Sequence, residues 1–168
     1  MAKMKAGVAV IEALRAEGVE YTFGVSGTTT NSIVTEMYGR KDIRFIDTRH
    51  EEGAAFMAYG YARASGKPSV CITTAGPGTT NLLTGIALAY KGRAPVIVIA
   101  GDVAREYLDR DGSQSFDLVG LFKPVTSMAR HVHLTERIPE ALHDAFRMAL
   151  AGKRGPVLLN IPRDLLDN

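Results

Sequence analysis

The sequence predicts an α/β domain of three layers, with a central parallel sheet of six strands and helices on both faces. Three observations carry that expectation. A short pattern recurs, in which a helix-like stretch ends, a basic residue and a proline follow, and an apolar run begins. It is seen at Gly66-Lys67-Pro68 before Val70, Arg93-Ala94-Pro95 before Val96, Lys123-Pro124 before Val125, and Lys153-Arg154-Gly155-Pro156 before Val157. Proline cannot sit inside a central strand but is tolerated at its start, so each proline marks where a strand begins. The runs themselves (70–74, 96–100, 125–129 and 157–161) are apolar without strict alternation, as expected of strands covered by helices on both faces. The chain between successive runs is long enough for the helical crossovers that parallel pairing demands.

The elements follow in order. Over residues 4–17, Val8, Ile11, Leu14 and Arg15 stand at helical spacing, and Gly18 is a good stop. Val19 to Val25 reads as the first strand, and Ser26-Gly27-Thr28 turns it into a helix holding Ile33, Val34 and Met37. Ile43 to Asp47 is the second strand. Residues 50–64 form a helix so rich in Gly and Ala that another helix can approach it closely, and 78–91 form the next. Residues 102–117 are polar and weakly periodic, a loop of a length that is usually functional or mobile. An amphipathic helix over 135–151 leads into the last strand.

Size and composition fit one ordinary soluble domain: 168 residues, 46% hydrophobic and 23% charged. The net charge is +2 and the basic residues are scattered rather than striped, which argues against a nucleic-acid partner. No apolar run reaches membrane-spanning length and no signal-peptide layout opens the chain, so a soluble, cytoplasmic protein is expected. The single cysteine, Cys71, makes no internal disulfide and is expected to pack in a strand.

Two strand-to-helix junctions carry unusual chemistry, and in an open parallel sheet such junctions share the carboxyl rim where ligands bind. At the first, Glu51 and Glu52 are neighbours at a helix start and point about 100° apart. Glu51 heads the small-residue stripe Ala54, Ala55, Ala58 and Ala62, whereas Glu52 heads Phe56, Tyr59 and Arg63. Small residues below Glu51 let something large pack over that face and shield its carboxylate from water, so Glu51 is the candidate acid-base group. Acidic residues in a first helical turn also simply favour the helix dipole, and the residues alone leave that reading open. The second junction is Gly76-Pro77-Gly78-Thr79-Thr80-Asn81. It suggests a phosphate-binding turn, yet Pro77 removes a backbone donor and Asn81 replaces the third glycine of the dinucleotide fingerprint, so a plain tight turn stays open too. His131 and His133 share a strand face but lack the cysteine or acidic partners of a metal site. Asp47 lies where a ribose-binding acid would stand, but on the wrong side of the glycine turn along the chain.

Several motifs occur together and in order: Phe23-Gly24-Val25-Ser26-Gly27, Arg49-His50-Glu51-Glu52-Gly53, Gly60-Tyr61-Ala62-Arg63, Thr74 to Asn81, Ala100-Gly101-Asp102, and Gly155-Pro156 to Arg163-Asp164. This series, spanning essentially the whole chain, resembles the N-terminal, pyrimidine-binding domain of thiamine diphosphate-dependent enzymes, in the acetolactate synthase-like branch.

The resemblance implies the thiamine diphosphate-binding fold and specific roles. Glu51 matches the acid that bonds N1′ of the aminopyrimidine and so activates the cofactor for ylid formation. Gly76, Pro77, Gly78 and Asn81 match the turn that borders the cofactor, and Gly27 and Gln114 match positions on the substrate side. It also implies that residues 1–168 are one domain of a larger enzyme, and that the diphosphate and its Mg2+ are held by a domain absent from this chain, whose Gly-Asp-Gly motif does not occur here. No metal ligand is therefore expected in this chain, and the isolated chain is expected to be inactive. The parent would be a lyase or transferase joining or cleaving 2-keto acids, with FAD an open cofactor, and would pair as a homodimer or homotetramer through the helices at 50–64 and 78–91. Ser26, Ser113 and Ser115 depart from the branch's usual proline, aromatic and acidic residues, which leaves the substrate open. The rival readings are a degenerate dimerising subunit without chemistry, against which Glu51 and the complete glycine turn speak, and a nucleotide-binding oxidoreductase domain, against which the missing fingerprint speaks.

Overall fold

Six parallel strands form one sheet in the order β2-β1-β3-β4-β6-β5 in the computed structural model, which describes residues 4–108 and 110–168. The strands are β1 (Tyr21–Val25), β2 (Arg44–Asp47), β3 (Ser69–Thr73), β4 (Val96–Asp102), β5 (Met128–His131) and β6 (Val157–Pro162). The helices are α1 (Ala6–Ala16), α2 (Asn31–Met37), α3 (Glu51–Ser65), α4 (Pro77–Thr80), α5 (Leu83–Lys91), α6 (Leu118–Phe122), α7 (Ile138–Leu150) and α8 (Arg163–Leu166). The predicted three-layer α/β architecture is the one observed.

Helices split between the two faces because successive strand residues point to opposite sides. Val70, Ile72, Ile97, Ile99, Leu159 and Ile161 face α1, α2 and α7, meeting Ile11, Leu14, Ile33 and Phe146. Cys71, Val98, Ala100 and Leu158 face α3, α5 and α6, meeting Ala54, Ala58, Ile86 and Phe122. Each fully buried Val, Leu or Ile contributes about 1.5–3 kcal/mol, so neither layer is dispensable. On the α3 side small residues dominate, and Gly85 of α5 lies so close to Ala55 of α3 that a Cβ on it would overlap the alanine's own.

Several expected boundaries move, each for a local reason. The fifth strand begins at Met128 rather than Val125, because Lys123–Val125 winds into a 3-10 turn that Thr126 closes by donating its hydroxyl to Phe122 O at 2.8 Å. The expected helix over 78–91 is two helices, since after Thr80 the Leu82 N–H reaches Thr79 O, three residues back, instead of four. The fourth strand runs on to Asp102, where it still pairs with Pro162. Within the polar loop, Arg105–Tyr107 makes one 3-10 turn. The short α6 follows that loop, capped by Asp117, which accepts from the Gly120 N–H at 2.8 Å. The last long helix starts at Ile138, because residues 135–137 form a separate 3-10 turn. No helix of the described residues is long and apolar enough to cross a membrane.

Candidate functional site

The β1, β2 and β3 carboxyl ends lie side by side, and they bring the chemistry of three junctions to one stretch of rim. After β2, the Thr48 hydroxyl sits 3.1 Å from Gly24 O and 3.0 Å from His50 O, fastening the turn to β1. His50 then caps α3, its Nδ1 accepting from Glu52 N at 3.2 Å. Capping fixes the first turn and therefore which way its two glutamates point.

Glu51 points inward. It is buried with Ala54, Ala55, Ala58 and Ala62, while Glu52 and Tyr59 are half-buried and Phe56 and Arg63 exposed. Its Oε2 accepts from Asn81 Nδ2 at 3.0 Å, so the second junction reaches the first directly. No cation pairs with Glu51 among the described residues; the carboxylate is held by an amide alone. Burying a charge is costly unless it is paired and hydrogen-bonded, and here one amide supplies the bonding.

The glycine turn is shaped by close approach. Gly76 adopts φ 59°, ψ −117°, a conformation that side chains disfavour. A Cβ on Gly76 would also press on the Gln114 backbone, one on Gly78 would stand 3.3 Å from Glu51 Oε1, and one on Gly27 would meet Thr74. The structure thus gathers Glu51, Gly76, Gly78, Asn81, Gly27 and the backbone of Gln114; Pro77 is exposed at the outer side of the turn, in the first residue of α4. Gln114, itself at φ 72°, is brought over the turn by the polar loop.

Sequence reasoning missed the threonines beneath these residues. Thr29 and Thr74 share a hydrogen bond at 3.0 Å, and Thr29 Oγ1 also accepts from Ala75 N at 3.0 Å. Thr79 donates to Thr74 O at 2.8 Å and lies 3.1 Å from the Thr73 hydroxyl. They tie the turns that follow β1 and β3 to one another. The signal was available, since threonines flank both turns, but nothing in their spacing says that they meet.

Farther along the rim, Asp102 is buried and accepts from Val103 N at 2.8 Å and from Asn160 Nδ2 at 2.6 Å. Asn160 Nδ2 also lies 3.1 Å from His131 Nδ1, which occupies that histidine within the fold. The His131 and His133 rings are 6.0 Å apart, and no group of three or more His, Cys, Asp or Glu residues among those described is arranged to hold a metal ion. Asp47 is exposed at the end of β2.

A parallel α/β sheet with a buried, amide-held carboxylate facing a glycine turn across its carboxyl rim defines a ligand-binding domain of the open-sheet class. The sequence profile described as thiamine pyrophosphate enzyme, N-terminal TPP binding domain, matches residues 4–121. A protein named "Probable acetolactate synthase large subunit" from Methanocaldococcus jannaschii is 43% identical over 164 residues, covering 98% of this chain and 28% of that protein. Acetolactate synthase isozyme 2 large subunit of Escherichia coli is 41% identical, covering 93% of this chain and 28% of its own length, and the chloroplastic acetolactate synthase of Arabidopsis thaliana is 38% identical, covering 93% and 23%. The chain belongs to the thiamine pyrophosphate enzyme family and matches its N-terminal, TPP-binding domain. It spans between a fifth and a third of the length of these relatives.

Proposed function

We propose that this chain is the pyrimidine-binding domain of a thiamine diphosphate-dependent enzyme, and that Glu51 is the residue that exchanges a proton with the cofactor's aminopyrimidine. The observation that carries this reading is the buried Glu51 carboxylate, held at Oε2 by Asn81 and reached at Oε1 by no donor among the described residues. Gly27, Gly76 and Gly78 stand where the chain packs on itself, since an added Cβ would meet Thr74 or the Gln114 backbone, so these glycines let the two turns and the polar loop close in beside Glu51. When bound, the cofactor supplies a carbanion that attacks carbonyl groups. The chain's own part is to orient the ring against the Gly76–Gly78 turn, exclude water from the α3 face, and hold or accept a proton at Glu51.

In this reading the diphosphate and Mg2+ are held by another domain, and the intact enzyme pairs through α3 and α5. The relatives' names favour chemistry of the acetolactate synthase kind, and the proposed substrates are 2-keto acids. Ser26 donates to Asn31 Oδ1 at 3.0 Å where the branch usually carries proline, and Ser113 and Ser115 flank Gln114, so the proposal extends to the class of chemistry and leaves the particular substrate open. The test is hydrogen–deuterium exchange at the thiazolium C2 of cofactor bound to the full-length protein. Glu51→Gln keeps the shape and loses the titrating group, so exchange slows by roughly 10²–10⁴; an unchanged rate would remove Glu51 from the role.

A further inference from the structure

Resting on that function, we infer that Asn81 is a positioning residue, which divides the Glu51 carboxylate into a held oxygen, Oε2, and an offered one, Oε1. Asn81 Nδ2 donates to Oε2 at 3.0 Å, whereas no donor among the described residues reaches Oε1. Gly78 stands on the Oε1 side, where an added Cβ would lie 3.3 Å from that oxygen and 2.7 Å from Thr74 Cγ2. The oxygen that Asn81 leaves without a donor is therefore the one on the Gly78 side of the turn.

The amide is itself fixed. Asn81 lies between α4 and α5 with right-handed helical backbone, φ −63° and ψ −21°, and its N–H bonds to Pro77 O at 3.0 Å. The same turn that carries Gly78 thus aims the amide. An ionised carboxylate only accepts hydrogen bonds, so the amide nitrogen must face it. A neutral amide can hold the carboxylate without giving it a proton, whereas an ammonium would neutralise it and a second carboxylate would compete for its proton. Glu51 has three rotatable side-chain bonds, and fixing them before the ring arrives lowers the entropy that binding must overcome.

The test uses Asn81→Leu, which keeps similar bulk without the donor, and Asn81→Ser, which returns a donor. In the full-length protein at saturating thiamine diphosphate and Mg2+, Asn81→Leu slows C2 exchange about tenfold, the loss expected for one hydrogen bond to a charged group. Its effect at saturation exceeds its effect on cofactor affinity, and Asn81→Ser recovers part of the rate. A second readout needs no cofactor. In the 15N-labelled 168-residue chain, Glu51→Gln moves the side-chain amide resonances of Asn81 and leaves those of Asn31 and Asn160 in place. Unmoved Asn81 resonances overturn the positioning role, as does Asn81→Leu exchanging at the unsubstituted rate while Glu51→Gln is slow. Glu51→Gln exchanging at the unsubstituted rate overturns the proposed function instead.

Discussion

A Cβ placed on Gly76 would stand 2.7 Å from the carbonyl oxygen of Gln114 and 2.8 Å from its Cα. The polar loop is thus seated directly on the glycine turn, backbone against backbone, and neither side can yield by rotating a side chain. Gly76→Ala is expected to destabilise the fold by about 1–3 kcal/mol, combining a disfavoured φ with a displaced loop. Gly18→Ala supplies the control, because Gly18 shares the positive φ but has nothing within 4 Å of an added Cβ. Urea unfolding should show the larger loss at Gly76; equal losses would mean that the loop is not seated there.

Glu52 separates from Glu51 by direction alone. Its stripe runs along Phe56, Tyr59 and Arg63, away from the buried alanines, so Glu52→Gln in the full-length protein should leave C2 exchange within a few-fold of the unsubstituted rate, against roughly 10²–10⁴ for Glu51→Gln. Equal slowing by both would contradict the helical-face argument.

Calorimetry of the 168-residue chain with thiamine diphosphate and Mg2+ should show no micromolar binding. In the proposed reading this chain contributes to the pyrimidine end alone, and no group of three or more His, Cys, Asp or Glu among the described residues is arranged to hold a metal ion, so most of the affinity for the charged end is expected from another domain. A micromolar dissociation constant for this chain alone would refute the divided site.

Self-association is expected through α3 and α5. Phe56 and Met57 on α3 and Leu88 on α5 are exposed large apolar side chains on helices with small or apolar residues on nearly every face. Sedimentation at high micromolar concentration should find a dimer that Phe56→Asp weakens. A clean monomer before substitution would count against pairing through these helices.

Burial pushes the Cys71 thiol from 9.0 up to about 12, and this makes stability fall on the alkaline side. Below pH 9 both states keep the proton and the group is silent. Between pH 9 and 12 the unfolded chain ionises while the folded one does not, so stability is lost by up to about 1.4 kcal/mol per pH unit from this group. Urea titrations at pH 8, 10 and 11 should show a shallower decline in Cys71→Ala than in the unsubstituted chain. Parallel declines would place the thiol's ionisation elsewhere.

The sheet was legible because its signals are local and repeated: a proline opening an unbroken apolar run is readable without knowing what the run pairs with. Val125 shows the limit of that reading. Pro124 does open an element there, but it is a 3-10 turn, and what delays the strand to Met128 is the Thr126 hydroxyl bonding back to Phe122, which no pattern of hydrophobicity records. At the site, the burial of Glu51 followed from counting helical faces. Its partner Asn81 did not, since thirty residues separate them and only the folded sheet sets α3 beside α4. The short α6 and α8 were missed because four or five residues hold too little periodicity to stand out.

An all-parallel sheet has no hairpin from which to grow. Phe23 must find Cys71 across the whole of α2, β2 and α3, and Val98 must find Leu158 across the loop, α6, β5 and α7. Every such closure costs chain entropy before any ladder repays it, so this domain should be a slow folder for its length, with its central strands the last surfaces to be hidden. Those strands are also its most apolar, and they are the segments that a nascent chain would most need shielded while synthesis is still under way.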